Sequence, residues 1–425
     1  MPPCDRPHTD NKPSLFLLAA VTGLAFGALH MVLPAQPILM RSFASGPAAV
    51  QLVTSLFLAG IAVGQLCYGP VSDRYGRRPV LIAGLAAFLA GTLLCGAAWS
   101  LPVLIAGRVL EAAGACAGLV LGRAILLDVY GRDAAARRLA IILMTMTVVP
   151  GVSPGIGALL VEWFSWRAIF VALGLVGAAI LGLVVLRLQE TNANPARFDF
   201  GGIVRAYWTL LQSREYLAFT LSGTCRTGAW FAFAAGVPFV LSELLHQPPS
   251  TYGLMILLPV SSYVLGNMLA AHLATRLGSF RLVLYGRIIA LGAALGMASW
   301  WWLDSLGLWM LFLPIAIIAF ADGISHPAIM AAALSLYPEL TGTASGLLGS
   351  LQMGAAALGA VLVAALPHGN ALGLIAVVCG LVALSFGFGV CGLTLAWRRE
   401  QIPPAGGTSP MLGAAALPQV REDSA

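Results

Sequence analysis

Long apolar runs alternate with short polar breaks along almost the whole chain. A helix needs about 20 mostly apolar residues to cross the hydrocarbon of a bilayer. Runs of that length fall near 15–38, 50–70, 79–98, 102–126, 139–161, 168–187, 216–240, 252–274, 283–303, 309–330, 343–366 and 371–396. Twelve spanning helices are predicted, joined mostly by short connections. The longest connection holds Asn192, Asn194, Pro195, Arg197 and Asp199, and divides the spans into six and six. The expected organisation is a tail over 1–14, a six-helix bundle over 15–188, a linker over 189–215, a second six-helix bundle over 216–397 and a disordered tail over 398–425.

Composition supports that pattern. Of the 425 residues 59% are hydrophobic and only 9% are charged, with mean hydropathy +0.89. A soluble domain carries roughly 25% charged residues, because water must be met by something polar. Here lipid must be the solvent for most of the surface. Net charge is +6, and all but one of the 23 basic residues are arginine, Lys12 being the exception. No basic run with interleaved aromatics occurs, so a nucleic-acid partner is not expected. The seven cysteines form no CxxC pair and no Cys/His cluster, so neither metal nor cofactor is expected. Residues 1–13 lack the short apolar core of a secretory signal, and the first apolar run is expected to remain as a span.

Basic residues stay cytoplasmic. With the N-terminus inside, the inner loops and tails hold Arg74, Arg77, Arg78, Arg132, Arg137, Arg138, Arg187, Arg197, Arg205, Arg214, Arg276, Arg281, Arg287, Arg398 and Arg399, while the outer loops hold only Arg41 and Arg167. Both termini are therefore expected in the cytoplasm, the chain crossing the inner membrane repeatedly. Trp300, Trp301 and Trp302 are expected at the outer headgroup layer, where indole rings are favoured. Prolines such as Pro34, Pro37, Pro150, Pro154, Pro238, Pro259, Pro314 and Pro327 fall inside or near spans. Packed membrane helices tolerate them, and bends serve proteins that open to alternate sides.

Between spans two and three runs Gly64-Gln-Leu-Cys-Tyr-Gly69-Pro70-Val-Ser-Asp73-Arg74-Tyr-Gly76-Arg77-Arg78-Pro79. Gly76 permits a tight reversal, Asp128 at the end of span four can pair with Arg77, and Asp73 can cap the start of span eleven near Gly342-Thr343-Ala344-Ser345. An acid at a helix N-terminus is worth about 0.3–1 kcal/mol. Such a cluster of Gly69, Asp73, Arg74, Gly76, Arg77, Arg78 and Asp128 is a gate that latches one state and breaks in the other. The segment resembles the signature loop of the major facilitator superfamily. His30 to Pro37, Arg108, the Pro150…Pro154…Gly157…Ser165-Trp166-Arg167 run, Phe231-Ala-Phe233…Pro238 and Gly342 to Gly346 are similar to the drug-resistance exporters of the Bcr/CflA type. That resemblance, which covers nearly the whole chain, implies an all-α polytopic fold of two six-helix bundles around a central cavity, alternating access and proton-coupled export. Pro150, Pro154 and Gly157 are like the exporters' helix-bending antiporter motif, with Ser153-Pro154 in place of Gly-Pro.

The departures bear on substrate. The relatives usually carry an aspartate before the Leu-Pro element of span one, where this chain has His30. Ionisable groups at membrane depth cost about 2.5–3.5 kcal/mol each, so each is a functional candidate. Arg108 and Glu111 share a helix face, and either neutralise each other or present Arg108 to the cavity. Arg123 either faces the interior or snorkels. Asp322 and His326, four residues apart, are expected to stand together and take up or release a proton in place of the missing span-one acid, with Glu111 as a further candidate. Arg226 with His30 and Arg108 makes the expected cavity electropositive, with Trp230 and Phe233 as apolar walls, unless Arg226 snorkels to the inner surface. A guanidinium fork binds carboxylate or phosphate by paired hydrogen bonds.

The expected function is efflux of a small molecule in exchange for protons, the substrate being an anionic metabolite, a metal chelator of siderophore type or an antibiotic. Uptake by a permease of the same superfamily is the alternative. A membrane enzyme is not expected, because no nucleophile is matched to the Asp322/His326 pair. One chain supplies both bundles, so a monomer suffices.

Overall fold

The computed structural model describes residues 14–192, 200–300, 307–366 and 371–401, apart from the side chains of 131–144 and a few isolated positions. Asn194, Pro195, Arg197 and Asp199 of the linker, both distal tails, Trp301 and Trp302, and the side chains of Trp300, Arg132, Arg137 and Arg138 lie outside what is described.

Among the described residues there are 12 helices long and apolar enough to cross a membrane, and no strand. They are Leu15–Ser42, Pro47–Tyr75, Arg77–Gly96, Leu101–Tyr130, Thr145–Trp163, Trp166–Arg187, Arg214–Leu244, Pro249–Ala274, Arg276–Ser299, Leu308–Ser335, Pro338–Ala365 and Leu372–Arg399, here spans one to twelve. Several run further than the apolar pattern alone predicts. Span one continues past a short 3-10 turn over Leu33–Ala35, where Pro34 and Pro37 withhold backbone donors without ending the helix. A further helix, Phe200–Gln212, precedes span seven; it packs Leu210 inward and leaves Val204 and Trp208 exposed.

The buried side chains form three apolar clusters, of which the two larger follow the two halves of the chain and the third joins Leu210 to spans seven, nine, ten, eleven and twelve. One apolar core is built from spans one to six with Phe231, Phe239, Ala356 and Ala357 added. A second gathers spans seven to twelve with Leu33 added. The two bundles meet where span two packs on span eleven and span five on span eight. Outward-facing positions remain apolar: Leu175 is 69% exposed on span six, and Leu93 and Val171 are exposed likewise. Such a surface is stable only against hydrocarbon.

Small residues set the distances between helices. Gly157 of span five lies directly against the Met31 backbone of span one, so close that a β-carbon there would strike the Met31 carbonyl. Gly155 of the same span meets Gly253 of span eight in the other bundle. The glycines of the Pro150–Gly157 run thus face both a same-bundle and a cross-bundle neighbour. What Gly157 meets is the Met31 backbone, not a flexible side chain, so overpacking cannot be relieved by a rotamer change. Gly157→Ala is expected to destabilise the protein by about 1–3 kcal/mol, read as a lowered melting temperature of purified protein.

Candidate functional site

Among the described residues two buried charge clusters lie within the spans, one in each bundle. In the first, Arg108 and Glu111 of span four form a 2.6 Å ion pair in which both side chains are fully buried. Glu111 also accepts a hydrogen bond from Thr92 of span three at 2.9 Å. Arg108 donates to the Ala28 carbonyl of span one at 3.1 Å and lies over the Phe57 ring of span two, 3.9 Å from its centroid. One ion pair therefore ties span four to three neighbours. Close by along span one, His30 is buried, with Nδ1 on the Phe26 carbonyl and Nε2 without a partner. Its ring lies 5.8 Å from Phe231 of span seven, across the division between bundles.

The second cluster centres on Asp322 of span ten. Arg287 of span nine donates to it at 3.1 Å and to the Ser385 hydroxyl of span twelve at 2.8 Å. Ser385 and Ser222 of span seven exchange hydroxyl-to-carbonyl hydrogen bonds at 2.7 and 2.8 Å. Arg226 of span seven approaches the other Asp322 oxygen at 3.8 Å and lies over the Tyr263 ring of span eight. Glu111 and Asp322 are the two buried acidic residues among the described residues.

Several expectations change here. Asp322 and His326 share a face of span ten, but no ion pair joins them; two guanidiniums hold the carboxylate instead, which a neutral imidazole cannot match in charge. Arg287 was assigned by charge to an inner loop, yet it is 2% exposed and belongs to the interior. Arg108 is ion-paired with Glu111 and fully buried, the mutual neutralisation that was one of its two expected states. Arg226 lies twelve residues into span seven and is engaged with Asp322, not with a surface. Phe233 is fully buried against Phe312, ring centroids 5.4 Å apart, and is core packing. Trp230 is half-buried and touches the cores of both bundles. Arg123 is half-buried and donates to its own helix at Leu119.

The arginine-rich loop is a compact polar knot. Gly76 ends span two with φ +96°, a conformation that favours glycine. Arg77 pairs with Asp128 at 3.0 Å and with Asp73 at 2.6 Å, and bonds Ser72, which itself donates to the Gly69 carbonyl. Arg78 reaches the Val185 carbonyl of span six, and Arg74 lies beside the Tyr75 ring. Asp73 does not cap span eleven, whose helix from Thr341 has no side-chain cap; Arg77, nearer along the chain, takes the carboxylate.

Glu190, just past span six, had no place in the sequence reading and closes this knot. It accepts from the backbone nitrogens of Arg77 and Arg78, capping span three, and from those of Thr191 and Asn192. Burial alone pushes its carboxyl upward, but the four backbone donors together outweigh that and hold it below the usual carboxylate range. A depressed folded-state value means stability that is present at neutral pH and lost as pH falls through that value. Glu190→Ala is expected to cost about 1 kcal/mol, the usual worth of a helix cap. The gap in melting temperature from the parent should close on acidification.

At the opposite end the bundles are bridged. Arg41 of span one pairs with Glu243 of span seven at 3.0 Å, and Glu162 of span five accepts from the Ser250 backbone at the start of span eight at 2.7 Å. Near the arginine-rich end, Gly349 of span eleven admits the Gln65 side chain of span two.

Two helical bundles, each with its own buried ion cluster, and a glycine-turned arginine loop coincide with a sequence match over residues 15–360 to the Major Facilitator Superfamily. The chain belongs to that superfamily. Within it, the chain is 28% identical to multidrug resistance protein D of Escherichia coli, over 91% of this chain and 97% of that one. It is 26% identical to a bicyclomycin resistance protein homolog of Haemophilus influenzae over 88% and 96%. Among solved structures it is similar to a bacterial homolog of the human lysosomal transporter Spinster in an inward-facing, unoccupied conformation, with TM-score 0.70, 17% identity, and 92% and 98% of the two chains covered. The superfamily transporter fold, predicted from the Gly64–Pro79 loop and the span pattern, is the fold observed, and the Bcr/CflA-type relatives are those the resemblance named.

Proposed function

We propose that this chain exports small organic molecules, antibiotics among them, across the inner membrane in exchange for protons, with the arginine-rich loop and both termini in the cytoplasm. The carrying observation is that each bundle buries one carboxylate against arginine, Glu111 on Arg108 and Asp322 on Arg287. A proton on Glu111 removes the charge that holds Arg108, leaving it only the Ala28 and Val53 carbonyls and the Phe57 face. The packing of span four on spans one and two then changes with protonation. That is what alternating access requires of a coupling group: a proton equilibrium that biases two helix arrangements. Glu111 is the proton carrier in this reading, and Asp322 the carboxylate that organises the second bundle. Relatives named for resistance to bicyclomycin and to multiple drugs support the outward direction and the substrate range.

The bridges at one end, and the Gln65–Gly349 contact beside the arginine knot at the other, are the parts that would open in turn. Arg41–Glu243 and Glu162–Ser250 hold the outer side shut in this conformation. The test of direction is accumulation of a labelled antibiotic in cells. Raising the gene dosage of an exporter lowers accumulation, and dissipating the proton gradient restores it. Accumulation that rises with dosage would mean uptake.

A further inference from the structure

The second bundle carries more positive charge than it can neutralise by itself. Arg226 and Arg287 face a single carboxylate, Asp322, and the two guanidiniums stand on it unequally. Arg287 is 2% exposed, and its Nη1 bonds Asp322 at 3.1 Å and Ser385 at 2.8 Å; its Nε and Nη2 are also unbonded, but burial closes them off, whereas Arg226 is reachable. Arg226 is 3.8 Å from Asp322 and its side chain is 17% exposed; its Nε has no hydrogen-bond partner, and its contact with Thr227 is long, at 3.4 Å. One guanidinium completes the internal pair, and the other is left over.

The unpartnered groups gather beside it. His326 of span ten is buried with Nδ1 unbonded, and Gln352 of span eleven has Nε2 unbonded. Both approach Gly223, one turn before Arg226 on span seven: a β-carbon on Gly223 would lie 3.2 Å from Gln352 Nε2 and 3.9 Å from His326 Nδ1. Glycine at 223 keeps that space clear. Buried polar groups are ordinarily paired, and an unbalanced buried charge is costly. A surplus cation ringed by unfilled hydrogen-bonding groups has the composition of a site waiting for an anion.

We propose that Arg226 binds the acidic group of a monoanionic substrate, a carboxylate in the first instance, with Gln352 and His326 as neighbouring hydrogen-bonding groups and Arg287 reserved for Asp322. Two guanidiniums then face two carboxylates, and the cluster is balanced. This deepens the transport reading and rests on it for the movement of the bound molecule, though not for binding. Asp322 also acts as internal competitor, occupying Arg226 loosely while the site is empty.

The test is ligand-dependent thermal stabilisation of the full-length purified protein, without any gradient, using benzoate and phenylacetate against their uncharged amides. A ligand that binds the folded state raises the melting temperature with concentration. The acids are expected to reach half-effect at about tenfold lower concentration than the amides, the usual scale of a charge-assisted hydrogen bond. Arg226→Gln is expected to erase that preference, Arg226→Lys to retain part of it, and Asp322→Asn to strengthen acid binding by removing the competitor. Arg226 is partly exposed and loosely paired, so its variants should fold; their melting temperatures without ligand check that. No preference for acids in the parent, absence of binding included, overturns the proposal, as does a preference that survives Arg226→Gln. Because no transport is measured, failure of proton-coupled export leaves this result standing, and the reverse.

Discussion

Arg287→Leu is expected to destabilise the protein by about 3 kcal/mol, toward the lower end of what removing one partner of a buried ion pair costs. The substitution strips Asp322 of its 3.1 Å partner and Ser385 of a donor, while the carboxylate stays 5% exposed. Arg226, already 3.8 Å away, limits the loss by moving closer. The companion double variant, Arg287→Leu with Asp322→Leu, removes the orphaned carboxylate and should recover part of the stability, the rest being held back by Arg226, which then lacks its carboxylate. Unfolding of detergent-purified single and double variants measures the coupling between the positions. Strictly additive losses would show that the pair does not act as a unit.

Glu111→Gln is the second large effect. Arg108 is fully buried, and no other acid pairs with it among the described residues. Glutamine keeps an acceptor near the guanidinium but not the charge, so a loss of about 3 kcal/mol is again expected. The Phe57 face and the Ala28 and Val53 carbonyls soften the cost without cancelling it. The functional consequence separates this variant from a merely weakened fold. Substrate exchange without a gradient should persist, while accumulation driven by a pH difference should be lost. A Glu111→Gln protein that melts like the parent and still uses the gradient removes Glu111 from the coupling role.

The spans were legible because lipid imposes a requirement on every turn of helix, so length and hydropathy speak directly. The Gly64–Pro79 loop was legible because a positive-φ glycine and its flanking arginines are close in sequence, and the Arg77–Asp128 contact followed from the depth of span four. Pairing across helices was not legible in the membrane interior. The four-residue spacing of Asp322 and His326 puts them on one face, but spacing on one helix says nothing of the arginines that neighbouring helices bring. Arg287 was misplaced because positive-inside counting treats arginines near a span's end as loop residues. The signal against that was present: Leu282, Val283 and Leu284 precede it, so it lies within the apolar run, and the small polar Ser222 and Ser385 lie in other spans as potential partners. Glu190 was invisible for a different reason, since its partners are backbone nitrogens and carry no side-chain pattern.

The most direct test of the central claim is the pH inside proteoliposomes that hold the purified protein and a trapped pH-sensitive dye. Antibiotic added outside moves inward down its gradient, and exchange for protons must then carry protons out. The account predicts that the lumen turns alkaline on addition and that Glu111→Gln abolishes the change. Acidification, or entry of labelled antibiotic with no change in luminal pH, would contradict it.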